Sequence, residues 1–179
     1  MLNDWFARLQ VARYLEAFNI YLQSPMDVLM QDESEQVKLP DSVGNGLALS
    51  LYEQGIRFHE SGKFDEALAA FEEALKHDPQ FAPAHNGRGS VLFSKGDVEA
   101  ALSALNEAIR LDGKFPKALA NRGSTYASIG EFERALADLN EALRLDSECE
   151  AAFIGRAQCF FGMQRYEDAI EDLSRCIDF

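Results

Sequence analysis

The chain has 179 residues and a formal net charge of −13, and 47% of its residues are hydrophobic while 26% are charged. This length and composition are typical of one soluble globular domain. The excess of acidic residues argues against nucleic acids and anionic membrane surfaces as partners, because both are bound through clustered Lys and Arg. We interpret the acidity as a property that keeps the surface soluble. Electrostatic steering of a basic partner is the alternative.

The N-terminal segment, residues 1–31, has apolar residues at the spacing of an amphipathic helix. It is too short and too polar to span a membrane, which takes about 20 apolar residues, and it lacks the basic start of a signal peptide. We expect it to pack on protein: on the domain that follows, in the groove of that domain, or on a second copy in a homodimer. The residues expected at this packing or oligomerisation surface are Trp5, Phe6, Leu9, Tyr14 and Phe18.

A linker is predicted over residues 32–46, which are polar and acidic and end in Pro40, Gly44, Asn45 and Gly46. Ahead of it, Ser24 and Pro25 have the sequence of a helix start, which predicts a short second helix.

From residue 47 onward the same segment occurs four times at an offset of about 34 residues. Six positions of the segment carry the same kind of residue in nearly every copy. These aligned sets are Gly55, Gly89, Gly123 and Ala157; Gly62, Gly96, Gly130 and Gln164; Phe64, Val98, Phe132 and Tyr166; Ala67, Ala101, Ala135 and Ala169; Phe71, Leu105, Leu139 and Leu173; and Ala74, Ala108, Ala142 and Cys176.

Each copy has two apolar stripes at helical spacing, which predicts a helical hairpin. The small residues allow the two helices to approach closely, and a larger side chain there would cost roughly 1–3 kcal/mol. A glycine at Gly62 and its counterparts suits the left-handed residue that ends a helix. One hairpin cannot bury its own apolar face, so the copies must stack. The predicted helix pairs are 47–61 and 64–77, 81–95 and 98–111, 115–129 and 132–145, and 149–163 and 166–179.

The repeated segment resembles the tetratricopeptide repeat, whose pattern is W-x2-L-G-x2-Y, then A-x3-F, then P. The first copy keeps Gly55, Ala67, Phe71 and Pro79, and has Leu51 in place of the tryptophan. The resemblance implies an all-α fold, a right-handed α-solenoid of stacked hairpins with a concave inner face. It divides residues 47–179 into repeats 48–81, 82–115, 116–149 and a truncated 150–179. It also implies a protein or peptide partner, bound without catalysis.

In this family the first helix of each repeat lines the concave groove. Asparagine can bond an extended peptide backbone as donor and acceptor, and aromatic residues supply pockets for side chains; the alternative is that these are solvated helix positions. The groove residues that the resemblance implies are Tyr52, Ile56, Asn86, Ser90, Phe93, Lys117, Asn121, Ser124, Ile154, Gln158 and Phe161.

Chaperone-binding members of the family hold a C-terminal carboxylate with Lys, Asn, Asn, Lys and Arg from three repeats. Only one of the five corresponding residues matches here, whichever copy the comparison starts from. Losing most of these charge-assisted hydrogen bonds would remove most of the specificity for a carboxylate, which argues against that ligand. Starting from the first copy, the residues are Tyr52, Ile56, Gly87, Lys117 and Asn121.

An arginine recurs at the same offset in the last three copies, at Arg88, Arg122 and Arg156. It could form a ladder of donors for an acidic ligand. In so acidic a chain we favour the alternative that each arginine pairs with a carboxylate of its own or a neighbouring repeat, such as Asp138 or Glu107.

Catalytic and metal chemistry have no support in the sequence. The cysteines, Cys149, Cys159 and Cys176, are odd in number and lack a C-x-x-C spacing, which favours a reducing, cytoplasmic location over a disulfide framework. No nucleophile with a base, phosphate-binding loop or metal-ligand spacing is present, so we expect no cofactor and no enzyme. The last repeat stops without a polar capping helix. We therefore expect either a longer native chain or an end covered by a partner, preferably a second copy; a monomer with a slightly frayed last helix is the alternative.

Overall fold

Helical hairpins make up the part of the chain that the computed structural model describes, residues 45–177. All regular structure in this part is α-helical, as the sequence predicts. The helices are α1 Asn45–Glu60, α2 Phe64–His77, α3 Ala82–Ser94, α4 Val98–Leu111, α5 Pro116–Ser128, α6 Phe132–Leu145, α7 Glu150–Gly162 and α8 Tyr166–Ile177.

Each hairpin turns through a residue in the left-handed region of the backbone map. Gly62, Gly96 and Gly130 have φ of 69°, 82° and 78°. At the first of these turns the N–H of Gly62 donates to the carbonyl of His59 at 2.9 Å, and the N–H of Lys63 donates to that of Phe58 at 2.8 Å. The left-handed residue therefore lets the chain satisfy the free carbonyls at the helix end, which confirms the role predicted for these glycines.

The turns between hairpins are also alike. Asp78 follows α2, and its Oδ1 accepts a hydrogen bond of 3.0 Å from the N–H of Gln80. This local bond offers the chain an alternative to helix and so ends it. The same turn is formed by Asp112 with Lys114 and by Asp146 with Glu148.

The hairpins stack into an α-solenoid. The two helices of each hairpin contact one another, the second helix of one hairpin contacts the first helix of the next, and successive first helices also touch. The core lies between them, where equivalent residues of all repeats are at most 2% exposed. These core residues are Phe71, Leu105, Leu139 and Leu173.

Close packing in the second and third hairpins depends on glycine. A Cβ atom on Gly89 would lie 2.7 Å from Cγ of Leu105, and one on Gly123 would lie 2.6 Å from Cγ of Leu139. At these two positions a side chain would force the facing leucine to move, whereas the fourth hairpin accommodates Ala157 at the same position.

The observed helices agree with the predicted pairs to within two residues at every end. The predicted N-terminal helical segment and nearly all of the linker lie outside the described residues, so these predictions stay open. Within residues 45–177, no helix is both long and apolar enough to cross a membrane.

Candidate functional site

The predicted groove residues all lie on the first helices of the hairpins, α1, α3, α5 and α7. Their accessibility divides them into two groups. Ile56, Asn86, Ser90, Asn121, Ser124 and Ile154 are buried. Half-buried or exposed are Tyr52, Phe93, Lys117, Gln158 and Phe161.

The buried amides bond to one another across two repeats. Nδ2 of Asn121 donates to Oδ1 of Asn86 at 2.8 Å and to Oγ of Ser90 at 3.0 Å. Asn121 is 2% exposed and Ser90 is fully buried. Both donor hydrogens of the Asn121 amide are therefore used within the solenoid, between α3 and α5. The prediction that these amides bind a peptide backbone stays a prediction.

In the described structure the next two first helices, α5 and α7, have no such hydrogen bond between amides and instead pack closely against each other. Gly155 takes the place in α7 that Asn121 takes in α5. A Cβ atom on Gly155 would lie 2.7 Å from Oγ of Ser124, which leaves no room for a side chain. The backbone of α7 at Gly155 therefore packs directly against the side chain of Ser124 on α5, and this contact buries Ser124.

The accessible groove residues are largely aromatic. The ring of Tyr52 contacts those of Phe71 and Phe81, with centroids 5.8 and 5.3 Å apart. At the other end of the solenoid, Phe161 is 38% exposed and meets Tyr166 edge to face at 5.6 Å. Aromatic rings that are exposed on one side and supported on the other are well suited to binding apolar side chains of a partner.

Charge is unevenly distributed between the two kinds of helix. The two central first helices, α3 and α5, contain no aspartate or glutamate, whereas α4 and α6 carry several. In a chain with net charge −13, the central first helices are thus neutral to basic. A ligand on this face meets less negative charge than it would on the second helices.

Two of the repeated arginines hold carboxylates. Nε and Nη2 of Arg122 donate to Asp138 at 2.7 and 2.8 Å, and Nη1 donates to Asn106 of the preceding repeat at 2.8 Å. The hydrogen bond to Asp138 raises the pKa of the Arg122 guanidinium. We call this arrangement the arginine clamp, because it joins α5 to both neighbouring second helices, α4 and α6.

The fourth repeat forms the same clamp. Arg156 donates two hydrogen bonds of 2.7 Å to Asp172 and one of 2.7 Å to Asn140. The predicted pairing with local carboxylates is therefore confirmed for Arg122 and Arg156. That asparagines also bind these arginines was not predicted from the sequence. Asn106 and Asn140 are 34 residues apart, so the repeat offset could have identified them.

A surface pocket of about 480 Å³ lies beside the second clamp, between α6 and α8. Phe153 and Phe160 line it, and the Arg156 guanidinium lies 5.7 and 5.9 Å from their ring centroids. The clamps are therefore at the side of the solenoid formed by the second helices, away from the predicted groove.

The cysteines are free thiols in the last part of the chain. Cys149 and Cys159 are buried, whereas Cys176, which takes the alanine position of the repeat and was expected in the core, is only half-buried. Burial raises the pKa of Cys159 to about 11 and that of Cys176 to about 12. Both are protonated at neutral pH and so are poor nucleophiles. Within the described residues, no group of three or more His, Cys, Asp or Glu is placed to hold a metal ion.

Sequence models of two tetratricopeptide repeat families match residues 47–117 and 116–149, which together make up more than half of the chain. A model of anaphase-promoting complex subunit 5 matches residues 2–78, less than half of the chain. No curated protein matches significantly.

Solved structures share the fold. The first tetratricopeptide domain of Spaghetti (RPAP3), bound to the HSP90 peptide SRMEEVD, is 25% identical with a TM-score of 0.62, over 66% of this chain and 94% of that domain. The first tetratricopeptide domain of human RPAP3 is 25% identical with a TM-score of 0.63, over 69% of this chain and 97% of that domain. MamA is similar in fold alone, at 21% identity and a TM-score of 0.61, over 73% of this chain and 77% of MamA.

Proposed function

Because the chain belongs to the tetratricopeptide repeat family, we propose that it is a non-catalytic adaptor that binds a peptide or a partner helix of another protein. The binding surface is the face formed by the first helices α1, α3, α5 and α7. The chain does this in a reducing, cytoplasmic compartment, which suits its three free cysteines.

The observation that carries this proposal is the similarity to a peptide complex. An aligned 66% of the chain covers 94% of an RPAP3 domain that is bound to the peptide SRMEEVD. Stacked hairpins of this kind present an extended surface on one side, which is how solenoids bind linear segments.

The ligand chemistry should differ from that of a carboxylate clamp. Of the five positions compared above, Ile56 is 2% exposed and Gly87 lies directly against the ring of Phe71. Neither can donate a side-chain hydrogen bond to a terminal carboxylate. We therefore assign to the groove an internal peptide segment or a helix, held by apolar contacts and backbone hydrogen bonds.

The contacts with the partner come from the accessible groove residues Tyr52, Phe93, Lys117, Gln158 and Phe161. The buried pair Asn86 and Asn121 supports them by fixing α3 against α5. The two groups therefore have different roles: loss of a support residue lowers stability, whereas loss of a contact residue lowers affinity even in a variant that remains folded. Tyr52 and Phe93 also pack on the core, so their loss lowers stability as well.

The test uses peptides selected from a random displayed library against the full chain, with affinities measured by calorimetry. The variant Phe93→Ala, Gln158→Ala, Phe161→Ala should bind the selected peptides at least about tenfold more weakly, because aromatic contacts of this kind carry more than 1 kcal/mol each. Its matched control is Glu99→Ala, Glu133→Ala, Glu167→Ala, three exposed positions on the second helices. Equal binding by the two folded variants would place the site elsewhere.

A second candidate function is assembly through the N-terminal segment. It is motivated by the match of residues 2–78 to a subunit of the anaphase-promoting complex, since that match joins this segment to the first repeat. On this proposal Trp5, Phe6, Leu9, Tyr14 and Phe18 drive self-association or occupy the groove of the same chain.

Light scattering distinguishes the two forms of this second candidate. If the segment drives self-association, full-length Trp5→Ser, Phe6→Ser, Phe18→Ser should have a lower mass than the wild type. If it occupies the groove, the mass stays the same and the variant binds the selected peptides more tightly. An unchanged mass with unchanged peptide affinity would exclude assembly.

A further inference from the structure

The second repeat has an arginine at the clamp position but lacks the residues that the clamp binds. Arg88 aligns with Arg122 and Arg156, yet the counterpart of the clamp aspartate is Ala104 and that of the clamp asparagine is Glu72. Nε of Arg88 is buried and has no hydrogen-bond partner within residues 45–177. No carboxylate in that part of the chain forms an ion pair with Arg88.

The pocket beside Arg156 and the corresponding surface beside Arg88 differ in charge, and Arg175 of that pocket is replaced by Glu107. Three residues that line the pocket beside Arg156 carry a negative charge, and their second-repeat counterparts are small and uncharged. The acidic residues are Asp168, Glu171 and Asp172, and their counterparts are Ala100, Ser103 and Ala104.

Two carboxylates could reach Arg88. Glu72, at the position of the clamp asparagine, is exposed and forms no ion pair with Arg88 in the described structure, and Glu107 is already bound. Both oxygens of Glu107 accept hydrogen bonds from Arg110, at 2.6 and 2.8 Å. Arg110 holds the pKa of Glu107 below its ordinary value, and the charges of His85 and Arg88 act more weakly in the same direction. Nδ1 of His85, one turn before Arg88, is also buried without a hydrogen-bond partner in the described structure. Polar groups are thus available on α3 facing α4.

A buried guanidinium N–H without an acceptor is costly, since the group has lost its water and gained no partner. The later repeats show what satisfies it. In both clamps an aspartate accepts two parallel N–H···O bonds from the arginine, a geometry that guanidinium and carboxylate groups favour. Arg88 as a whole is only half-buried, so a group from outside the solenoid can reach it after a small rotation of the side chain.

We propose that Arg88 binds the side-chain carboxylate of an aspartate or glutamate from a partner protein, in the role that Asp138 and Asp172 have in the following repeats. In a chain with net charge −13, a contact between two copies at this site is unfavourable unless another surface holds them together, so we assign the carboxylate to a different protein. The site lies on the side of the second helices. It is therefore separate from the groove, and both sites can be occupied together.

The experiment follows the arginine Nε–H signals of the full ¹⁵N-labelled chain by NMR. Arg88→Lys assigns the signal of Arg88. The probe is sodium acetate, titrated against sodium chloride at equal ionic strength, followed by N-acetyl-glutamate amide against N-acetyl-glutamine amide. We expect the Arg88 signal to shift saturably with the two carboxylates and not with chloride or the glutamine compound. The signals of Arg122 and Arg156 should stay fixed, because their acceptors are internal.

Ala104→Asp supplies the missing carboxylate from within the chain and should abolish the shift. Phe161→Ala, in the groove, should leave it unchanged, which separates this site from the proposed function. An Arg88 signal that ignores carboxylates, or that responds equally in Ala104→Asp, would overturn the proposal. A doubled molecular mass that Arg88→Lys abolishes would overturn the assignment to a different protein.

Discussion

The junction between the first two hairpins differs from the two junctions that follow it. At the first junction the ring of Phe71 fills the space between the hairpins, and Cβ atoms on Gly55 and Gly87 would each lie 2.6 Å from it. The polar contact there is an exposed ion pair between Lys95 and Asp65. At the later junctions a smaller leucine takes the place of Phe71, and an arginine clamp spans three helices.

The difference shows that neighbouring hairpins with the same repeat length can be joined by two kinds of contact. Apolar volume secures the first junction, whereas charge-assisted hydrogen bonds reinforce the later ones. The arginine is present in both kinds of junction, but only the later ones use it internally. Within residues 45–177, the repeated arginine at the junction that relies on ring packing is thus the one whose Nε has no internal acceptor.

The largest effect is expected from Phe71→Ala. It removes a fully buried ring and should lower the free energy of unfolding by about 3–5 kcal/mol, the usual loss for a large cavity. Denaturant unfolding followed by circular dichroism measures it. Phe71→Leu introduces the residue of the later repeats and should lose less. A smaller loss for Phe71→Ala than for Leu139→Ala would show that the ring is not the main support of the first junction.

The next effect concerns the later junctions. Asp138→Ala removes the clamp carboxylate and leaves Arg122 without it, which should lower stability by about 2–3 kcal/mol. The matched control is Glu141→Ala on the same helix, whose partner Arg144 is largely exposed. The control should unfold at the same denaturant concentration as the wild type within error, because exposed ion pairs contribute little. Equal midpoints for the two variants would mean that the clamp is not a stabilising element.

The carboxylate of the clamp can also be supplied to the second hairpin. Ala104→Asp places a carboxylate opposite Arg88 and should raise stability by about 1 kcal/mol, because a buried donor gains its acceptor. Ala70→Asp is the matched control: it has the same repeat position in the first repeat, where Gln54 replaces the arginine. The control should lower stability, since its carboxylate would be buried unpaired. Destabilisation by both variants would show that Arg88 cannot adopt the clamp geometry.

The smallest effect is expected inside a hairpin. Gln164 has φ of 60°, where the other repeats have glycine. Gln164→Gly removes the strain of a left-handed side-chain-bearing residue and should raise stability by about 0.5 kcal/mol, since part of the gain is offset by greater freedom of the unfolded chain. The midpoint of thermal unfolding measures it. Because this turn lies within a repeat, the change should be independent of Asp138→Ala, and a non-additive double variant would contradict that.

The repeated pattern predicted the hairpins because each of its features has a local physical cause. Gly62 ends a helix, Gly89 permits contact with the facing helix, and Leu105 fills the core between them. These requirements recur in every copy, so the sequence shows them several times. The partnership of Arg122 with Asp138 could be anticipated for the same reason, since both residues recur.

The groove was harder to predict. Asn86 and Asn121 belong to different repeats, and whether they bond to each other depends on the distance between α3 and α5. That distance is set by packing at the junction rather than by either helix. The resemblance placed both amides on the first helices correctly but could not show that Asn121 donates to its neighbours. The proposed contact residues are therefore chosen by accessibility rather than by residue type.

The arginine clamp makes the repeats interchangeable. Its aspartate and its asparagine each lie 16 residues from the arginine, and the turns at Asp112 and Asp146 are alike. Deleting residues 112–145 would therefore place Asn106 16 residues before Arg156, and Asp172 would still follow Arg156 by 16 residues. Unequal recombination between two copies of such a gene segment would shorten or lengthen the protein by whole hairpins and keep the clamp spacing, although this deletion would also remove the Asn86–Asn121 bond between α3 and α5. Evolution can thus adjust the length of the array independently of what each end of it binds.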